Sequence, residues 1–201
     1  VNRSTEFVRA LLLPLPLILT ACGSAPVSKS ASAAPTEISA STRNMFAAGT
    51  AAMKAQKWSE AEAQFKQLLQ AEPNLSGAHL NLALIYDKTN RPADADAQFK
   101  QAIQANPDNA EARDQYGIWL RTQGRFKDAE NIYLQTLQRQ PARADTHLNL
   151  GILYDLYLGK PAQAVEHYEQ YLALKGDDAS PEVGRVKNWV ADIQRRSKAG
   201  G

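Results

Sequence analysis

One cysteine stands in 201 residues, so neither an intramolecular disulfide nor a multi-thiolate zinc site can form. Histidine is almost as scarce, with three copies at His79, His147 and His167 and no H-E-x-x-H pattern among them. No charge sign dominates: 23 Lys and Arg face 21 Asp and Glu, a net charge of +2. That balance excludes the concentrated basic surface that gripping nucleic acid requires. No P-loop, G-x-S-x-G or dinucleotide fingerprint occurs, so the expectation is no enzyme, no cofactor, no metal and no small-molecule substrate. Long apolar runs are lacking too. The longest, Ala10 to Thr20, is broken by Pro14 and Pro16 and as a helix would rise only about 16 Å, roughly half a hydrocarbon core.

That short run is nevertheless informative. Arg3 and Arg9 precede it and small residues follow, the three-part layout of a secretory signal peptide. The stretch Leu19-Thr20-Ala21-Cys22 resembles the lipobox of bacterial lipoproteins. The resemblance implies cleavage after residue 21, acylation of Cys22 and, with Gly23 next rather than Asp, an outer-membrane destination facing the periplasm. Multiple acyl chains would make the anchor effectively permanent, since one alone binds only marginally. From Gly23 to Ala40, five Ser and five Ala share eighteen residues with no aromatic side chain. Such a stretch cannot offset its ordering entropy, so residues 22–40 read as a lipidated cysteine and a disordered tether. As a flexible coil it would span about 25 Å.

From residue 41 onward one period governs. Pro73, Pro107 and Pro141 recur at one interval, as do Ala61, Ala95 and Ala129, then Phe65, Phe99 and Tyr133, and finally Gly49, Ala83, Gly117 and Gly151. The small residue lets a neighbouring helix approach, the Ala and the ring share one face of a second helix, and the proline ends it. Asn90 and Gly124 read as turn residues. This pattern resembles the tetratricopeptide repeat, best in the third unit through Tyr116, Gly117, Leu120, Gly124, Phe126, Ala129, Tyr133 and Pro141. The resemblance implies an all-α, right-handed superhelix of four units, 42–75, 76–109, 110–143 and 144–176. In the fourth, Ala164 and Tyr168 lag by one residue, which marks an insertion between Leu156 and Lys160, and Gly176 replaces the terminal proline. Ser180-Pro181-Glu182 then starts a helix. Its face of Val183, Val186, Val190 and Ile193 would cap the array within residues 177–201.

Recognition is the function left. A step of about 100° per residue separates the face of Tyr116, Gly117 and Leu120, expected against the paired helix, from that of Asp114, Ile118 and Arg121. In the family the latter face lines a groove for a peptide or partner helix. Here the groove would comprise Phe46, Thr50 and Met53, then Leu80, Leu84 and Asp87, then Asp114, Ile118 and Arg121, then Leu148, Ile152 and Asp155. The alternative is that Leu80, Leu84, Leu148 and Ile152 simply pack against adjoining units. Asn81, Gln115 and Asn149 form an amide column suited to an extended backbone. The basic clamp that grips a C-terminal carboxylate in some relatives is not reproduced, because Phe46, Thr50 and Glu111 occupy its positions. The expected partner is a protein or peptide of the cell envelope. Pilus-biogenesis lipoproteins, pilotin-like escorts of a secretin, are locally similar through Tyr116-Gly117-Ile118-Trp119-Leu120. Lipoprotein activators of penicillin-binding proteins and passive structural lipoproteins are the alternatives.

Overall fold

The computed structural model describes residues 39–199. Nine α-helices and no strand occur among them: α1 (Ala40–Lys54), α2 (Trp58–Ala71), α3 (Ser76–Lys88), α4 (Pro92–Ala105), α5 (Ala110–Thr122), α6 (Phe126–Arg139), α7 (Ala144–Leu156), α8 (Pro161–Lys175) and α9 (Pro181–Ala199). Cys22, the signal segment and nearly all of the tether lie outside the described residues. Ser39 caps α1 through its side chain, so Ala40, the last residue assigned to the tether, belongs to the first helix.

Each turn within a helix pair needs one left-handed residue, and the chain supplies Gln56, Asn90, Gly124 and Gly159 in one column with φ of 57°, 57°, 71° and 61°. The step from Gly124 to Gly159 exceeds the period by one residue, the insertion in unit four. Pro92 and Pro161 open α4 and α8, where the missing N–H costs nothing. Two residues after α2, α4 and α6 end, Pro73, Pro107 and Pro141 prevent continuation.

Helices pack in sequence as α1·α2, α3·α4, α5·α6 and α7·α8, and each second helix meets the first helix of the next unit. First helices also touch one another (α1·α3, α3·α5, α5·α7), whereas second helices do not touch one another among the described residues. A stack joined along one row and splayed along the other must curve with the first helices inside. That inner row is the groove of the sequence expectation.

The periodic columns are the core. Ala61, Phe65, Ala95, Ala129, Tyr133, Ala164 and Tyr171 are fully buried, with Phe99 and Tyr168 nearly so. A Cβ on Gly117 would stand 2.4 Å from the Tyr133 ring, and one on Gly151 would stand 2.5 Å from Tyr168. Ring and backbone therefore touch directly. Tyr116 also stacks on Phe99 of the preceding unit, with ring centroids 5.3 Å apart. On α9 the buried face is Val183, Val186, Val190 and Ile193, packed on α8, and Trp189 lies 5.6 Å from the Tyr168 ring.

A ladder that no motif announced ties successive units together. Arg91 meets Glu62 at 3.1 Å, Arg125 meets Asp96 at 2.8 Å and Lys160 meets Glu130 at 2.8 Å. In each pair the carboxylate sits on a second helix and the cation precedes the next unit's second helix. These pairs are partly exposed, so each contributes at most about 1 kcal/mol, and their use is to set register between units.

Candidate partner-binding groove

The expected groove residues divide by burial. Phe46, Asn81, Leu84, Asp87, Gln115, Ile118, Arg121, Leu148, Asn149, Ile152 and Asp155 are half-buried along the inner row and present part of their surface. Phe46, Leu84, Leu148 and Ile152 also pack against the core, so the apolar stripe serves both packing and surface. Phe46 stands edge-on to Phe65 at 5.4 Å and, with Arg43, Ala47, Thr50 and Leu75, lines an apolar depression at the first end of the row.

Two residues are corrected. Leu80 is buried and belongs to the core rather than to an open surface. Asp114, expected as an acidic edge, is 3% exposed and engaged at the junction with the next unit. Thr146 donates to its Oδ1 at 2.6 Å and Arg143 donates to its Oδ2 at 3.0 Å. Burial outweighs these bonds and holds the carboxyl above its ordinary range. Its position in the repeat pointed inward correctly. What sequence spacing did not show is that Arg143 and Thr146 close over it.

The amide column is also uneven. Gln115 donates to Glu111 at 2.9 Å, while Asn81 and Asn149 make no side-chain hydrogen bond to a described residue. Those two amides keep their donors and acceptors available for a backbone. Asp87, Arg121 and Asp155 follow one another at equivalent places near the C-termini of α3, α5 and α7, an alternation of charge along the row. Asp155 is approached by Arg196 of the cap helix at 3.9 Å. Among the described residues Arg121 has no ion-pair partner, and its guanidinium stands 5.7 Å from the Tyr157 ring.

The histidines have a structural duty that spacing alone missed. His79, Arg113 and His147 are equivalent, and each hydrogen-bonds the carbonyl of the proline six residues before it: His79 to Pro73 at 2.9 Å, Arg113 to Pro107 at 2.9 Å and His147 to Pro141 at 3.0 Å. A carbonyl only accepts, so Nε2 of each histidine carries the proton. The Nδ1 atoms of His147 and His167 lie 3.0 Å apart, so one ring donates to the other. Burial, then the neighbouring His147, lowers the His167 pKa. The sequence pattern offered His167 no histidine partner at zinc spacing, because that pairing depends on how α8 lies against α7. No group of three or more potential metal ligands occurs among the described residues.

The comparisons with known proteins agree with this geometry. Tetratricopeptide-repeat family profiles match residues 52–115 and 117–179, and the chain belongs to the tetratricopeptide repeat proteins, generally non-catalytic scaffolds for protein interactions. PilF of Pseudomonas aeruginosa superposes with a TM-score of 0.68 at 26% identity, covering 79% of this chain and 69% of that one. PilW, described as a widely conserved type IV pilus biogenesis factor, gives 0.63 at 23% identity over 77% of this chain and 72% of its own. YrrB, described as having an unusual peptide-binding site, gives 0.56 at 23% identity over 68% and 70%. No curated protein sequence matches the chain.

Proposed function

We propose that this protein is a lipid-anchored scaffold of the outer membrane whose inner row holds a protein segment of an envelope machine, of the kind that escorts a pilus secretin. The observation that favours the pilus reading is the likeness to PilW, described as a type IV pilus biogenesis factor, alongside PilF at 26% identity across 79% of the chain. The lipobox-like Leu19-Thr20-Ala21-Cys22 favours the anchor, and the half-buried stripe of Leu84, Leu148 and Ile152 beside two unengaged amides suits a segment with spaced apolar anchors.

Capture of envelope proteins on the purified protein tests the partner. Retention of a secretin supports the escort, and retention of a penicillin-binding protein in its place replaces it with the synthase-activator reading. Leu84→Glu combined with Ile152→Glu is expected to abolish capture while helicity is kept; unchanged capture refutes the groove. For the anchor, Cys22→Ser is expected to release the protein from membranes and to remove acyl mass from its N-terminus.

A further inference from the structure

Three buried side-chain N or O atoms among the described residues lack a hydrogen-bond partner, Trp119 Nε1, Arg121 Nη1 and Tyr133 Oη, and all belong to the third unit. Native interiors leave few such groups, so their concentration calls for an explanation. Two are linked. The Arg121 charge acts on the Tyr133 hydroxyl and on that of Tyr168, so the guanidinium stands within electrostatic reach of both. Arg121 Nη1 offers a donor, Tyr133 is 0% exposed with an unpartnered hydroxyl, and neither has found an acceptor. The nearby carboxylates do not supply one: Asp114 is committed to Thr146 and Arg143, and Asp155 faces Arg196.

The insertion in unit four completes the place. It leaves Leu156 68% exposed and Tyr157 44% exposed, the largest exposures among the bulky apolar side chains described. Tyr157 packs on Phe126 at 5.0 Å and lies 5.7 Å from the Arg121 guanidinium. A guanidinium against an aromatic ring keeps its in-plane N–H groups free for a carboxylate. Because Nη1 holds no bond, turning it toward a ligand breaks none.

We infer that Arg121, Tyr157 and Leu156 form a subsite for an acidic protein segment, Arg121 taking a carboxylate and the exposed ring and leucine taking the apolar side chain beside it. The inference rests on the groove reading above and adds the partner's chemistry. The unfilled donor decides the occupant: Arg121 Nη1 lacks an acceptor among the described residues while Asp155 already faces Arg196, so an acidic group completes the site and a basic segment would leave this donor unfilled.

The probe is 3-phenylpropionate, compared with 3-phenylpropionamide, which has the same ring and no charge. Each is titrated into the full-length protein while the Arg121 side-chain N–H and Tyr157 ring signals are followed by NMR. The acid is expected to shift both signals and to bind about tenfold more tightly than the amide, the ratio that a single charge-assisted contact of about 1.4 kcal/mol supplies. Arg121→Gln is expected to erase that preference, Arg121→Lys to keep part of it, and Tyr157→Ala to weaken both probes. Equal response to acid and amide, or a preference that survives Arg121→Gln, overturns the subsite. So does a concentration-dependent shift without probe accompanied by dimers in sedimentation, which assigns the patch to a second copy. Partner capture that is lost in the Leu84→Glu, Ile152→Glu variant but untouched by Arg121→Gln removes this subsite and leaves the groove standing. Capture indifferent to the double variant removes the groove reading, while the probe ratio still reads the subsite.

Discussion

Units two and four carry near-duplicate first helices, His79-Leu-Asn-Leu-Ala-Leu-Ile-Tyr-Asp87 and His147-Leu-Asn-Leu-Gly-Ile-Leu-Tyr-Asp155, yet sit in different surroundings. The shared residues do shared work. Each histidine holds a proline carbonyl, and each tyrosine lies under the cation of the ladder, Arg91 at 4.1 Å from the Tyr86 ring and Lys160 at 4.9 Å from Tyr154. The differences come from what each helix meets. His79 contacts the Gln98 amide at 2.7 Å where His147 meets His167. Unit two docks on the inner row through Gly77 against Phe46, with Leu75 at the junction lining the same depression, an apolar junction. Unit four docks through Thr146, with Arg143 at the junction just before it, on buried Asp114, a polar one. Near-identical helices thus report the local chain, and their neighbours decide chemistry.

The largest effect is expected where the two helices differ by one methyl group. Ala83 holds the equivalent place in unit two and is fully buried, and Phe99 of that unit stacks on Tyr116 and tilts against Trp119 of the next. At Gly151 an added Cβ meets Tyr168 Cδ1 at 2.5 Å and Cε1 at 2.6 Å within a buried site. Gly151→Ala should therefore cost about 2–3 kcal/mol through overpacking, seen as a lowered Tm by circular dichroism, whereas Ala83→Gly, which gives up helix propensity and one buried methyl without a clash, should cost less, about 1.5–2 kcal/mol. Tyr168→Phe should not rescue Gly151→Ala, since the atoms it meets are common to both rings. Equal losses at the two positions would erase this contrast.

The docking junction should give the next effect. Asp114→Ala strands the Arg143 and Thr146 donors and should cost about 2 kcal/mol in denaturant unfolding, less than a fully buried pair because Arg143 keeps 27% of its side-chain surface. Asp114→Asn, which keeps an acceptor for Thr146, should lose less. The smallest effect concerns pH. His167 binds its proton less readily when folded, so the unfolded chain takes up more protons between the lowered value and the ordinary 6.5. The stability from neutral His167 is full above about 6.5 and is lost as pH falls through the folded value. His167→Gln gives unit four the partner that unit two has in Gln98, and should flatten that slope in melting curves recorded from pH 7 to 5. An unchanged slope would place the acid sensitivity elsewhere.

Much of the array was legible because its causes are local. Pro73, Pro107 and Pro141 stop helices whatever surrounds them, and a glycine repeating with an aromatic ring signals close approach through its period alone. The apolar face of α9 was equally plain, since its valines share one stripe. Asp114 was less so: its helical position pointed inward correctly, but its burial depends on Arg143 and Thr146, roughly thirty residues later. The meeting of His147 with His167 and the ladder from Glu62 to Lys160 depend likewise on paired elements.

The sequence by itself determined that the chain stacks helical repeat units and where their helices turn and stop, because capping, left-handed turns and steric fit act within a few residues. Only the tertiary structure decided which inward residues stay open. Among the described residues it buried Leu80 and Asp114, left Asn81 and Asn149 without side-chain partners, and set Arg121 beside Tyr157 without an acceptor. The physical reason is that burial and hydrogen-bond partnership belong to pairs of elements, and the second member of each pair comes from another part of the chain.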